Sequence, residues 1–387
     1  MKIKKWQRVF SFLLFVFGFL FLIFNFCQAA VLYLMPQTQT VYQGDSFLVE
    51  VKLDSEGQEI NTAKIDLELP ELLEVVDFNK GKSMFSLWPQ GPVVKNNTIS
   101  FVGGTPQGFI GNNTVLSISF RAKGKGKGNI NFKENSKVLL NDGKGTETEL
   151  VFLEGSYEII ERPEKLIEIS SPSHPDQDKW YSNNSPHIRW DFIEENEYSY
   201  LLSHDPSAIP DEIPDRPEGE LMWLGDMGYS DMEDGIYYFH LREKSEATQE
   251  WGPKVSLRMM IDTKDPEEFT PKIGQDSSVF EGKYFLSFST IDKISGIDQY
   301  EVLEIKDKQQ DKEDWKVAES PYVLEDQTLN SVIKVKAVDK AGNERIAQII
   351  PPEKPALSFP YWKIIVPLLI VGVIYWVWKK YTGVKKK

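Results

Sequence analysis

The sequence predicts an all-β protein built from several β-sandwich domains, with one apolar helical segment at each end. Many short runs alternate between apolar and polar residues, the period of two that is typical of half-buried strands. Turns rich in glycine, asparagine and proline separate these runs, and no long helical periodicity lies between the two ends. A chain of 387 residues has room for more than one such domain.

The stretch 60–121 shows the strand pattern most clearly. Ile65 and Leu67 point to one face of the predicted strand, whereas Lys64 and Asp66 point to the other. A second alternating run near the end of the stretch, VLSISFRA, repeats the pattern. We therefore expect this block to be the central part of a sandwich and the part with specific recognition.

The first 29 residues predict a secretory signal peptide. Residues 1–8 are basic, an apolar run follows from Val9 to Phe26, and small residues come next. Cleavage is expected after Ala29, with Ala30 as the close alternative. Because the apolar run is long, an uncleaved membrane anchor is the other interpretation.

A second apolar stretch predicts a transmembrane helix over 361–378. Its length suits a bilayer core of about 30 Å, and tyrosines and tryptophans lie near both of its ends. The residues after it, 379–387, are rich in lysine, so the positive-inside rule places this tail in the cytoplasm. The expected location is the cell membrane, with a single span and with the bulk of the chain outside.

The charge of the chain excludes one class of partner. The formal net charge is −14, and neither terminal segment contains an acidic residue, so the part between them is more acidic still. A strongly acidic region is unsuited to bind nucleic acid. The single cysteine, Cys27, lies in the predicted signal peptide, so the exported part has no disulfide.

The order of the runs GDSFLVEVKL, INTAKIDLELPELLEVVDF and VLSISFRAKGKG resembles that of a cohesin domain, over residues 31–160. The resemblance implies a nine-stranded jelly-roll β-sandwich that binds dockerin modules; related sandwiches bind carbohydrate. By the same resemblance the partner-facing strands carry Thr62 and Lys64 on one strand, and Val102 and Thr105 on another. In cohesins that bind dockerin, the first pair tends to be an amide and an acid, so this face is chemically altered.

The remaining chain predicts two smaller modules. The run DGIYYFHLR resembles a late strand of fibronectin-III-like and immunoglobulin-like modules, and VKAVDKAGN resembles bacterial immunoglobulin-like repeats. Proline-rich segments separate the predicted parts. The predicted organisation is a signal peptide 1–29, a cohesin-like domain 31–160, a linker 161–178, an immunoglobulin/fibronectin-III-like domain 179–264, an immunoglobulin-like domain 265–350, a proline-rich stalk 351–360, a transmembrane helix 361–378 and a basic tail 379–387.

No pattern in the sequence indicates catalysis, a metal site or a cofactor. The four histidines are scattered and are interpreted as structural, and no nucleophile motif or phosphate-binding loop occurs. Acidic residues at 226–235 and at 292–298 do not follow the spacing of a calcium-binding EF-hand loop. Both segments are interpreted as polar turns, and the chain is expected to have no enzymatic activity.

Three aromatic residues lie in loop-like contexts. Phe85 and Trp88 occur in KGKSMFSLWPQGP, and Phe109 occurs in TPQGFIGNN. Such side chains contact sugars or protein partners at binding sites, but they also close the ends of sandwiches. Both interpretations stay open at this point.

The sequence as a whole predicts a membrane-anchored cell-surface binding protein. Its cohesin-like domain is expected to lie farthest from the membrane and to recognise an extracellular protein module, dockerin-like or divergent. One alternative is an adhesin that binds a polysaccharide, and another is a structural envelope protein with no dedicated ligand. The candidate partner-binding residues are Thr62, Lys64, Phe85, Trp88, Val102, Thr105 and Phe109.

Overall fold

The structure is a computed structural model that describes residues 29–164, 166–215, 225–306, 314–350 and 362–383. It contains twenty-six strands and one long helix in these ranges, so the all-β prediction is confirmed. The predicted signal peptide, except Ala29, and the predicted stalk 351–360 lie outside the described residues.

The first domain is a sandwich of two sheets. One sheet has the strand order β11-β1-β3-β8-β5, and the other has the order β2-β12-β9-β4-β7-β6 with β10 paired to β4. Two parallel pairs, β1 with β11 and β2 with β12, bring the two ends of the domain together. The strands are β1 Ala30–Met35, β2 Thr38–Tyr42, β3 Ser46–Asp54, β4 Ile60–Glu68, β5 Leu73–Asn79, β6 Leu87–Lys95, β7 Thr98–Phe109, β8 Asn112–Ala122, β9 Gly126–Phe132, β10 Lys137–Leu140, β11 Leu150–Leu153 and β12 Gly155–Ile160.

The apolar residues of the alternating runs form the core of this sandwich. Every second residue of β3 is buried, and Ile65 and Leu67 of β4 are fully buried as predicted. Asp66, by contrast, is only 4 % exposed although its place in the alternation predicted a solvent-facing side chain. Burial of each large apolar side chain contributes about 1.5–3 kcal/mol, so the packed sheets hold the domain together without disulfides.

Phe85 is part of this core, and Gly103 makes room for its ring. Phe85 is 3 % exposed, and a Cβ atom at position 103 would lie 2.4 Å from Cδ2 of that ring. We expect Gly103→Ala to lower the free energy of unfolding of the first domain by about 1–3 kcal/mol, because the ring must leave its packed position.

Urea denaturation of the full chain, followed by tryptophan fluorescence, measures this effect. Gly91→Ala is the matched control, since its Cβ would meet only Lys80 Nζ at 3.5 Å. An unfolding midpoint for Gly103→Ala equal to that of the control would contradict the close packing.

Two smaller sandwiches follow, and each has a three-stranded and a four-stranded sheet. The second module has the orders β13-β15-β17 and β14-β19-β18-β16, and the third has β20-β21-β24 and β23-β22-β25-β26. Each module has its own apolar core. The strands are β13 Ile169–Ser170, β14 Trp180–Tyr181, β15 His187–Trp190, β16 Glu197–Ser203, β17 Asp226–Gly228, β18 Gly235–Lys244, β19 Val255–Ile261, β20 Lys272–Gln275, β21 Tyr284–Ser287, β22 Ile297–Ile305, β23 Lys316–Val317, β24 Tyr322–Val323, β25 Val332–Asp339 and β26 Glu344–Ile349.

The first domain contacts the third module directly, although the second module lies between them in the chain. That the first domain lies farthest from the membrane stays a prediction. Lys340 Nζ of the third module lies 2.5 Å and 2.6 Å from the two carboxylate oxygens of Asp77, and 2.6 Å from Phe78 O. Asn79 donates a hydrogen bond to Ile294 O at 3.0 Å. The end of β5 therefore packs on the third module.

The second module is joined to the first domain through the end of the predicted linker. Asp178 Oδ2 accepts hydrogen bonds from Arg121 Nη2 at 2.7 Å and from Ser46 Oγ at 2.9 Å, while its Oδ1 lies 2.5 Å from Arg258 Nη2. Strand β13 also lies within 161–178 and pairs with β15. The start of the second module is thus fixed to the first domain.

The helix, α1 Trp362–Gly383, covers the stretch in which the sequence predicts one. Leu368 and Trp376 of α1 are more than half exposed. Among the described residues, no helix has both the length and the apolar character that a membrane crossing needs. The helix is confirmed, and its predicted role as a membrane span is not supported.

Candidate binding face and interdomain cleft

The outer face of the first domain brings three of the predicted residues side by side. In the antiparallel pairing of β4 and β7, Thr62 lies opposite Gly104 and Lys64 lies opposite Val102. Thr62, Lys64 and Val102 therefore share one surface of the sheet, because side chains of paired residues point to the same side. We call this surface, with the adjoining residues of β10 and β6, the outer face.

The outer face is completed by the strands on either side. Strand β10 places Leu139 beside Thr62 and Lys137 beside Lys64, while β6 places Leu87 beside Gly104. One row across these strands therefore contains Leu139, Thr62 and Leu87, and the next row contains Lys137, Lys64 and Val102.

Two large apolar side chains on β6 are exposed at the edge of the outer face. Leu87 is 54 % exposed and Val93 is 49 % exposed. Between Leu87 and Thr62 lies Gly104, where strand β4 approaches so closely that a Cβ atom would lie 2.9 Å from Asn61 O and 3.2 Å from Thr62 Oγ1. Apolar side chains beside polar ones on an exposed surface are typical of protein interfaces.

The buried carboxylate of Asp66 lies next to Lys64 of the outer face. It accepts hydrogen bonds from Ser100 Oγ and, at 2.7 Å, from Asn135 Nδ2, and Lys64 Nζ lies 3.5 Å from it. A buried carboxylate needs such partners because it has left water. Asp66 thus fixes the loop before β10 against β4 and orients Lys64.

The other predicted residues lie away from this surface. Phe85 is in the core, Phe109 lies opposite Ile60 and packs against the core, and Thr105 lies beside Gly104 where the pairing becomes irregular. Trp88 is partly buried, with its ring centre 6.0 Å from that of Phe85. The interpretation of Phe85 as an aromatic that closes the sandwich agrees with the structure.

A cleft of about 680 Å³ lies between the first domain and the third module. Lys80, Trp88 and Asp77 line it from the first domain, while Asp298 and Lys340 line it from the third module. The Lys80 ammonium lies 4.9 Å from the centre of the Trp88 ring. Burial lowers the pKa of Lys80, and the nearby Lys340 adds to this effect. This volume lies within the range of small-molecule sites, about 300–1,000 Å³.

Three buried aspartates meet where the second and third modules join. The carboxylates of Asp262, Asp292 and Asp339 lie with oxygen atoms within 4.8 Å of one another. Burial raises the pKa of Asp262 to about 6, against hydrogen bonds from Ser295 and Lys264, and burial also raises the pKa of Asp339. Oxygen ligands of this kind suit hard cations such as Ca²⁺.

Each of these three carboxylates accepts a hydrogen bond from a backbone amide. Ser295 N donates to Asp262 at 3.0 Å, Gly296 N to Asp292 at 2.8 Å, and Asn343 N to Asp339 at 2.8 Å. The sequence interpretation of 292–298 as a polar turn describes the loop but misses its neighbours. They are distant in the chain, and no local spacing shows that they meet.

Comparisons with known proteins find similarity over about a third of the chain. No protein-family model and no curated protein matches the chain. Among solved structures, similar ones include a non-cellulosomal cohesin from Archaeoglobus fulgidus, 18 % identical with a TM-score of 0.30, which covers 34 % of this chain and 91 % of that one.

Two further similar structures are cohesin modules. The sixth cohesin of scaffoldin B from Acetivibrio cellulolyticus, solved with a Cel5 dockerin mutant, is 16 % identical with a TM-score of 0.30 and covers 34 % of this chain and 99 % of that one. The cohesin module of a family 33 glycoside hydrolase from Clostridium perfringens is 12 % identical with a TM-score of 0.29, and the match covers 35 % of this chain and 97 % of that one. These likenesses concern the fold of about a third of the chain and say nothing of its ligand.

Proposed function

We propose that the chain is a non-enzymatic recognition protein whose first domain binds an extracellular protein through the outer face. The observation that supports this function is the register of β4 and β7, which places Thr62, Lys64 and Val102 on one side of the sheet beside exposed Leu87. An exposed sheet face with apolar and charged side chains suits a protein partner better than a small molecule, which needs a concave site.

The charge of the outer face suggests the kind of partner. Lys64 and Lys137 lie side by side, and both are about half exposed. A partner with carboxylates opposite these lysines and apolar side chains opposite Leu87 would complement the surface. A dockerin-like module is the first candidate because of the sequence resemblance, and a module of another kind with the same complementarity is the second.

Charge reversal at Lys64 is expected to abolish this recognition. With an immobilised dockerin panel or a partner captured from culture medium, Lys64→Glu should weaken binding at least tenfold, because it places like charges opposite one another. Leu87→Asp should have an effect of similar size by removing an exposed apolar contact. Surface plasmon resonance with the full chain measures both.

Lys123→Glu is the matched control, since Lys123 is exposed in a turn away from the outer face. Equal loss of affinity in the control and in Lys64→Glu would indicate an effect of net charge rather than of the outer face. A partner that binds both outer-face variants as tightly as the original chain would contradict the proposal.

Export and a location at the cell surface are also part of the proposal. They are supported by the basic, apolar and small-residue order of the first 29 residues and by the acidic character of the chain between its apolar ends. Protease treatment of intact cells, with known surface proteins as markers, tests this point. Protection of the chain while the markers are cut would contradict it.

A further inference from the structure

The cleft between the first domain and the third module is a second site with its own chemistry. Strand β6 borders both the outer face and this cleft, but Lys64, Leu87 and Val102 do not line the cleft. We propose that this cleft binds a neutral saccharide chain.

The walls of the cleft are held at a fixed separation. Lys340 Nζ contacts both carboxylate oxygens of Asp77, and Asn79 Nδ2 donates to Ile294 O across the junction at 3.0 Å. These bonds join β5 to the third module directly beside the cleft. A cleft whose walls are already in place loses little conformational entropy when a ligand enters.

The wall from the first domain supplies a hydrogen-bond donor. Trp88 packs on Phe101 with ring centres 5.9 Å apart, and the Lys80 ammonium lies 4.9 Å from the Trp88 ring centre. Within the described part of the chain, Lys80 has no carboxylate partner. The Trp88 ring therefore holds the Lys80 ammonium in place, while the N–H groups of Lys80 stay available to a ligand.

The opposite wall supplies an acceptor. Asp298 follows the start of β22, is exposed, and forms no ion pair with any residue that the structure describes. Ser86 and Ser289 add hydroxyl groups to the same cleft. Apolar side chains such as Val94 and Ile297 fill the surface between the polar groups.

This combination selects against charged ligands. Lysines and aspartates line the same space, so a ligand of either net charge meets a group that repels it. A saccharide has hydroxyls that both donate and accept, and its C–H faces pack on apolar side chains. Lys80 and Asp298 can each bond to a hydroxyl without a change in net charge.

Isothermal titration calorimetry of the full chain tests the proposal with defined probes. The neutral probes are cellohexaose, xylohexaose and mannohexaose, and the charged comparison is hexagalacturonate. We expect at least one neutral probe to bind and the polyanion to bind at least about tenfold more weakly. Lys80→Gln and Asp298→Asn should each weaken the neutral probe about tenfold or more, since each removes a charge-assisted hydrogen bond.

Lys95→Gln is the matched control, because Lys95 is exposed at the end of β6 and does not line the cleft. Its affinity should equal that of the original chain. Lys80→Arg, which keeps the donor and the contact with Trp88, should retain binding. Asp298→Asn keeps the shape of an exposed side chain, so its effect is separate from folding.

Three results would overturn the proposal. They are the absence of heat with every neutral probe, an affinity that neither Lys80→Gln nor Asp298→Asn changes, and binding of hexagalacturonate alone. Loss of a protein partner through Lys64→Glu has no bearing on these results, so the proposal for the cleft and the proposal for the outer face are tested independently.

Discussion

Replacing Asp178 with alanine is expected to lower the free energy of unfolding by about 3–5 kcal/mol and to separate the first domain from the second module. The Asp178 carboxylate is 12 % exposed, and the guanidinium of Arg258 is 1 % exposed. Removal of the carboxylate leaves a buried cation whose partner is gone, and a buried unpaired charge is strongly destabilising.

The geometry around Asp178 explains why one residue has so large an effect. Its two oxygens accept hydrogen bonds from Arg258 of the second module and from Arg121 and Ser46 of the first domain. Arg258 Nε also donates to Gln177 O at 2.8 Å, so the guanidinium is fixed by the same loop. Among the described residues no second carboxylate lies within ion-pair distance of Arg258.

Urea denaturation and limited proteolysis at the 161–178 segment measure the two effects of Asp178→Ala. Arg121→Gln is the matched control: it removes a partner of the same carboxylate, but one that is 48 % exposed, so its effect should stay below about 1 kcal/mol. Equal destabilisation by the two variants, with no new cleavage in the segment, is the outcome that opposes this account.

The contribution of His240 to the stability of the second module should fall as the pH is lowered from about 6.5 to about 4. His240 is fully buried; its Nδ1 lies 2.7 Å from Ser256 Oγ, and its Nε2 lies 2.9 Å from Asp205 O. Because a carbonyl only accepts, Nε2 carries the proton and Nδ1 accepts from the serine. Burial lowers the pKa of His240 to about 4.

The sign of the effect follows from proton uptake. Between pH 6.5 and 4 the unfolded chain binds a proton at this histidine and the folded chain does not, so the free energy of unfolding decreases as the pH falls. The difference of the two pKa values corresponds to about 3 kcal/mol. Among neighbouring charges, Lys254 acts in the same direction as burial, and Asp205 opposes it.

NMR titration of the histidine rings tests this directly, with His240→Gln to assign the signal. The His240 ring signal should stay unchanged from pH 7.5 to about 5. In urea denaturation at pH 7.5 and 4.5, the original chain should lose about 3 kcal/mol more than His240→Gln. His174 is present in both proteins, so the comparison removes its contribution. Burial lowers the pKa of His174 as well. A His240 signal with a midpoint near 6.5 argues against a buried neutral ring.

Local patterns in the sequence predict the strands and much of the outer face. The alternation in β4 identifies Ile65 and Leu67 as core residues and Lys64 as a surface residue, because a strand has a fixed period of two. Asp66 breaks this rule. Its burial depends on Ser100 and Asn135, which come from other strands and loops, so the local pattern contains no sign of it.

The contacts between modules are beyond what such patterns predict. Lys340 and Asp77 are 263 positions apart, and nothing near either residue indicates the other. The same holds for Asp262, Asp292 and Asp339, which lie near three different strand ends. The sequence makes Trp88 a candidate through its residue type and its loop-like context, and only the structure shows that it contacts Lys80 at an interdomain cleft.

The contact between Lys340 and the end of β5 also determines how the chain carries mechanical load. A pull between a partner on the outer face and the helix α1 has two parallel routes, one through the second module and one directly through Lys340 and Asp77. The direct route bypasses Asp178 and the whole second module. Tension is shared between the routes, and the second module is shielded from stretching for as long as the lysine contact holds.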